Sequence, residues 1–213
     1  MRKIKRALTG ILAATMVMAS VFTVNAGSGS GGSGAGDDGG SVESAEVAAI
    51  TKSAGATISV AGSSVKTTIA GGYAAKNVEG VAIITPLADV RASLGLKSGQ
   101  TPYIIVYDLN PQKSYKAMDS INAAAEALGA SVVTSLNVDL GARQDGKFVS
   151  LSDGSIGMVA GIPKASIDPT KTYSVVKVQL GGAVTVLDDL DTNPNTVTFE
   201  VAAGPAAYSI VAK

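Results

Sequence analysis

The chain contains no cysteine, no histidine and no tryptophan. Each of these absences removes a class of chemistry. Without cysteine there is no disulfide framework, no thiolate nucleophile and no thiolate-held zinc. Without histidine the usual general base near neutral pH is missing, and so is the commonest metal ligand. A Ser-His-Asp triad is therefore excluded. Aromatic residues make up only 4% of the 213 positions, so the core has to be built from Val, Ile, Leu and Ala. Catalysis is left with carboxylates, Lys, Tyr and Ser. A two-carboxylate glycosidase and a Ser-Lys pair both remain compatible with that set.

Long apolar runs are scarce as well. One is present, from about Ala7 to Val24, behind the basic residues Arg2, Lys3, Lys5 and Arg6. Val24-Asn25-Ala26 follows as a small-residue cleavage site. Residues 1–26 thus read as a secretory signal peptide, which implies an extracellular, secreted protein. No cysteine follows the cut, so lipid attachment there is ruled out. No second long apolar run exists, and membrane insertion after cleavage is not expected. The whole chain balances 17 Lys and Arg against 17 Asp and Glu. Loss of the four basic leader residues leaves the mature chain acidic by those same four charges. No basic stripe with interleaved aromatics is visible along the chain, so nucleic acid is not an expected partner.

Residues 27–41 read GSGSGGSGAGDDGGS, a Gly/Ser-rich disordered linker. Two parts follow, an α/β part over 42–141 and an antiparallel β part over 142–213. The second is expected to pack with 56–141 as one unit. In the first part, Ser41 precedes a helix predicted over Val42 to Ser53, ended by Gly55. Two short strands at Thr57–Ala61 and Val65–Ala70 are joined by a Gly-Ser turn. Val81–Thr85 is a strand; Thr85 then caps a helix with Pro86 at its first position, and Leu87, Val90 and Leu94 face inward. Tyr103–Leu109 is apolar enough at its start for a central strand. Ser114 opens the clearest helix, in which Met118, Ile121, Ala125 and Leu128 form one apolar stripe that Gly129 stops. Val132 to Leu140 alternates as a strand.

The C-terminal run Thr172–Ala212 carries the strongest β pattern. Four strand segments are divided by turn signals, the first being Gly181-Gly182, read as a two-residue hairpin connection. Val197, Phe199 and Val201 alternate with Thr196, Thr198 and Glu200. This predicts an antiparallel meander with one dry face, covered by a second layer from the rest of the chain. The fold class is therefore mainly β (α+β), an antiparallel β-sandwich with two to three short helices in its N-terminal half. One internal echo is visible. The stretch Val81–Leu109 and the stretch Ile156–Leu180 both read strand, Pro, spacer, then a long strand opened by Thr and Tyr. An old duplication and coincidence fit these few positions equally well.

The sharpest candidate site is Asp189, Asp191, Asn193 and Asn195, with Glu200 beyond. Oxygen ligands at alternate positions suit a hard cation such as Ca²⁺. Pro194, however, stands where a calcium loop of the EF-hand kind needs glycine. The favoured reading is a polar turn between two strands. No other cofactor is implied, and no catalytic residues stand out. Asp89, Asp108, Asp119, Asp139 and Asp153 are scattered, with no pair fixed on a shared face. Asp108 ends the central strand and reads as a solvated strand-end carboxylate. Tyr103, Tyr107, Tyr173 and Tyr208 read as core or sheet-edge aromatics rather than a sugar-stacking platform.

The residues TYSVVKVQLGGAVTVLDDLDTNPNTVTFEV and AYSIVAK resemble a module of secreted and surface proteins of Gram-positive anaerobic, clostridial-type bacteria. The segment from GVAIITPLADVRASLG through INAAAEALGASVVTSLNVDLG is similar to short proteins of the same bacteria. The resemblance implies an immunoglobulin-like β-sandwich in the C-terminal part, and secretion. It carries no catalytic residues over. The expected function is a secreted, non-enzymatic structural, adhesive or binding protein at or near the cell envelope. Partners in keeping with that are cell-wall glycan, a host glycoprotein or a second copy of the chain. The alternative is a carboxylate-dependent hydrolase acting on glycan or peptidoglycan.

Overall fold

The computed structural model describes residues 51–213. The expected signal peptide and linker, and most of the helix expected over 42–53, lie outside them. The end of that helix is overturned: Thr51–Lys52 form a strand, β1. Next come β2 (Thr57–Val60), β3 (Ser63–Lys66), β4 (Ala70–Tyr73), β5 (Val81–Ile83), the helix α1 (Leu87–Ser93) and β6 (Thr101–Asp108). The helix α2 (Tyr115–Leu128), β7 (Ser131–Gln144), β8 (Lys147–Ser150) and β9 (Ser155–Gly161) follow. The chain continues through β10 (Tyr173–Gln179), β11 (Val184–Asp188), β12 (Thr196–Ala202) and β13 (Gly204–Ala212).

The mainly β class is what the chain adopts, and its elements stack in layers. The largest is an eight-stranded sheet in the order β1-β4-β6-β7-β13-β10-β11, with β8 also paired to β7. Only β4 and β6 run parallel; the other pairs are antiparallel. A three-stranded antiparallel sheet, β12-β9-β5, lies against one face of it. Between them sits the main core. Ile104, Val106, Leu136, Val138, Leu140, Tyr208 and Ile210 meet Ile83, Met158, Val197, Phe199 and Val201 there. Val90 of α1 and Leu94 just past its end join this core, whereas Leu87, expected to face inward, is 47% exposed. The β2–β3 hairpin covers the outer side of the small sheet through Val60, Ala82 and Val159. On the far face of the large sheet, α2 sets Ile121 and Ala125 on Val176, Val178, Ala207 and Val211.

The last four strands are not a meander. β10, β11 and β13 lie in the large sheet, but β12 crosses to the small one and pairs with β9. Alternation in Val197–Val201 reports a dry face; it does not report which sheet owns the strand. The chain returns from β12 to β13 through Ala203 alone. Two hydrogen bonds hold that crossing: Ala202 N–H donates to Tyr208 Oη at 2.8 Å, and Ala203 N–H to the Gly154 carbonyl at 2.9 Å. Burial pushes the Tyr208 hydroxyl up to about 12, so it stays a neutral acceptor through the physiological range.

Smaller corrections have local causes. The β10–β11 connection is three residues long, because Gln179 pairs with Ala183 and its carbonyl accepts Gly182 N–H at 3.0 Å. Gly181 takes φ +89° inside that turn, where a side chain would be strained. The β2–β3 turn is Ala61-Gly62, both at positive φ, rather than a Gly-Ser turn. Thr85 does not cap α1. Pro86 occupies that position, and Thr85 Oγ1 accepts Gly157 N–H at 2.7 Å instead. β4 carries Gly71-Gly72, which weakens any strand reading of its sequence. The structure supplies a reason for Gly71: a Cβ there would run into the Ile104 carbonyl of the parallel neighbour.

The internal echo has a structural counterpart. β5 and β9 are neighbours in the small sheet, and each leads into a strand of the large one, β6 and β10. Those two strands flank the central β7–β13 pair on either side.

Candidate functional site

Among the clefts that open on the described residues, two differ in chemistry. One, of about 510 Å³, lies between the 76–79 loop, the start of β7 and α2. Lys76, Glu79, Thr134, Ser135 and Met118 are among its lining residues. Its polar groups are largely spent on holding the fold. Thr134 Oγ1 donates to the Asn77 carbonyl at 3.0 Å, and the Ser135 and Ser209 hydroxyls meet at 2.9 Å. Glu79 is the only carboxylate on its walls.

The other cleft, of about 500 Å³, is formed by β1, the start of β4, α1 and the ends of β6 and β7 that lie side by side. Lys52, Arg91 and Arg143 line it together with Thr51, Thr101 and Tyr103, and among the described residues no acid does. The arrangement follows from sheet register. Thr101 pairs with Arg143, and Tyr103 with Gly141, so Arg143 leans back across the strand pair. Its guanidinium carbon stands 3.9 Å from the centre of the Tyr103 ring. Phe148 meets the same ring edge-on at 6.3 Å, and the Tyr103 hydroxyl reaches Thr51 Oγ1 at 3.2 Å. Arg91 comes from α1 and donates to the Gln100 carbonyl at 3.2 Å. Gln100 is buried and anchored in turn: its Oε1 accepts Lys97 N–H at 2.9 Å, and its Nε2 donates to Gln144 at 3.1 Å. Two arginines are thus held in place, Arg91 by the Gln100 carbonyl and Arg143 on the Tyr103 ring. An array of this kind can receive an anion through planar, two-pronged hydrogen bonds.

The residues singled out in the sequence fall elsewhere. Asp189, Asp191, Asn193 and Asn195 lie on the crossing from β11 to β12 and fold on themselves. Asp189 Oδ1 accepts Asp191 N–H, Asp191 Oδ1 accepts Asn193 N–H, and Asn193 Oδ1 accepts Asn195 N–H, at 3.2, 2.6 and 3.1 Å. This is a succession of turns in which a side-chain oxygen takes the N–H two residues on. Asp189 Oδ1 also accepts Thr198 N–H, and Asp191 Oδ2 accepts the Thr196 and Thr198 hydroxyls. Burial raises the Asp189 carboxyl, against the hold of the Thr198 and Asp191 N–H groups. Glu200 stands exposed on β12, opposite Gly157. Among the described residues, no group of three or more Asp and Glu is placed to hold a metal ion.

Asp108 ends β6 in a half-buried position, and its carboxylate is engaged. Its carboxylate accepts the N–H groups of Lys76, at 3.1 and 3.0 Å, and of Asn77, at 2.9 Å, and so ties the 74–80 loop to β6. Of the four tyrosines, Tyr103 and Tyr208 are buried, and Tyr107 and Tyr173 are half-buried. The Tyr173 hydroxyl donates to the Ser166 carbonyl at 2.7 Å. Asp139 lies beside Ile105 and Pro205 on the same outer face as Tyr103. Its Oδ1 is enclosed without a hydrogen bond, and burial raises its carboxyl.

The basic cleft is the feature that sequence reading missed. Lys52 was expected at the end of a helix, and its three cations come from β1, α1 and β7. The one signal for it was Arg143 two positions past Gly141 in a strand with Tyr103 opposite, and that pairing is invisible without the register. No protein-family model, no curated protein and no solved structure matches the chain.

Proposed function

We infer that the chain is a secreted, non-enzymatic binding protein that works at or near the bacterial cell envelope. Export is carried by the leader sequence and the resemblance to clostridial-type secreted proteins. The binding reading is carried by one observation, the contrast between the two clefts. A hydrolase of the two-carboxylate kind needs a pair of acids facing one concavity. Among the described residues, the first of these clefts has Glu79 as its one acid and the second has none. What the second cleft does assemble is a set of preset hydrogen-bond donors, which suits recognition.

The test uses the mature chain recovered from culture medium and insoluble cell-wall polysaccharide. The chain should co-sediment with the polymer and release no reducing ends over many hours. Steady release of reducing ends that disappears in Glu79→Gln or Asp139→Asn would replace this reading with the hydrolase.

A further inference from the structure

We propose that the cleft lined by Lys52, Arg91, Arg143 and Tyr103 is the ligand site, and that it takes a saccharide bearing carboxylate, sulfate or phosphate groups. The inference rests on the binding reading above and names its ligand class. Charge is the first argument. Three cations converge on one cavity with no acid among its described lining residues, in a chain whose Lys and Arg only equal its Asp and Glu. Like charges gathered around one cavity repel each other while it stands empty, and a bound anion relieves that repulsion.

Preorganisation is the second argument. Arg143 is laid on the Tyr103 ring and Arg91 is tied to Gln100, so neither long side chain has to be immobilised from full freedom when ligand arrives. Arg91 spends one nitrogen on Gln100, and the rest of its fork remains to be used. Shape is the third. A cavity of about 500 Å³ falls in the range of pockets that hold compact small molecules, about 300–1,000 Å³. Its wall also carries Leu87 and Pro102. Leu87 is one of the few large apolar side chains left exposed, and it would meet the C–H face of a sugar ring while the arginines take its acidic group. Tyr103 is covered by Arg143, so ring stacking on it is not part of the scheme.

The test is calorimetric titration of the chain from Gly27 onward with three probes: an oligogalacturonate, a heparin-derived tetrasaccharide and neutral cellotetraose. The two anionic probes report whether carboxylate or sulfate is preferred. Binding of at least one of them should weaken tenfold or more in Arg91→Gln and in Arg143→Met, and should weaken steeply with added salt. Methionine keeps an apolar cover over Tyr103. Should Arg143→Met fail to fold, Arg91→Gln and the salt titration decide. Affinity for both anionic probes unchanged in Arg91→Gln, or no binding of either, overturns the site. Binding of cellotetraose alone, indifferent to the variants, also overturns it while leaving a non-enzymatic binding protein standing. New reducing ends from the oligogalacturonate would strike down the non-enzymatic reading alone, with the tenfold losses still supporting the cleft.

Discussion

The outer face of the large sheet has two halves that solve the same problem differently. Over β10, β11, β13 and the first half of β7, the face is Val176, Val178, Ala207 and Val211, and α2 lies on it. Its one buried polar group, Ser209, is fully satisfied by Ser135 and the Thr134 carbonyl. Over β6, the second half of β7 and β8, the face is Tyr103, Ile105, Tyr107, Asp139, Arg143 and Phe148. Here cover comes sideways, from one long side chain lying on the next, as Arg143 does on Tyr103. A helix makes a face dry and inert. Side chains that cover each other leave polar ends at the surface, and the basic cleft sits at the edge of that half. The difference teaches that the candidate site lies where the helix stops.

The comparison can be broken most directly in the covered half. Ile121→Ala should open a cavity under α2 and lower stability by about 2–5 kcal/mol; a urea midpoint close to that of the parent would mean α2 is only loosely seated. Ser209→Ala should cost about 1 kcal/mol, the net worth of a buried hydroxyl bond, again read from denaturant midpoints. In the open half, Arg143→Ala should cost less, about 0.5–1 kcal/mol, as expected for a cation lying on an aromatic face near solvent. A larger loss would show that the open half is a true core. The smallest effect, and one of opposite sign, belongs to Asp139. Burial raises its carboxyl above the ordinary value, so the folded chain holds that proton more tightly than the unfolded one. Its contribution is full below the ordinary carboxyl value and fades as pH rises through the raised one. Asp139→Asn should therefore be more stable than the parent at about pH 7.5, and the gap should close as acid protonates the parent. A gap that widens in acid would mean the carboxylate is paired after all.

How legible these features were in the sequence follows from what each depends on. The helix Tyr115–Leu128 was readable because Met118, Ile121, Ala125 and Leu128 recur on one face, and its left-handed stop at Gly129 is local. Ser114 stands at its N-cap position, but its hydroxyl makes no capping bond; Asn110 Oδ1 holds the Gln112 and Lys113 N–H groups just ahead instead. The strands rich in Val and Ile were readable for the same local reason. β4 was not, because Gly71 is chosen for the backbone of Ile104 rather than for its own propensity. The Asp189–Asn195 turns were readable as turns since each bond spans two residues. Asp108 showed its place at a strand end but not its partners, Lys76 and Asn77, which come from a distant loop. The cleft cations were least readable, since each follows from a different element and only the β6–β7 register brings Arg143 to Tyr103.

The position of β13 has a consequence for how the chain comes together in time. It spans 204–212 and lies between β7 and β10. Until those residues have been made, the large sheet exists only as two unjoined pieces, one ending at β7 and the other at β10. Each piece presents a long unpaired edge, the kind of surface on which strange strands add. A polypeptide cut short before Gly204 would keep most of its strands and have no means of closing them. It would meet the cell as a nucleus for aggregation rather than as a smaller version of the same protein.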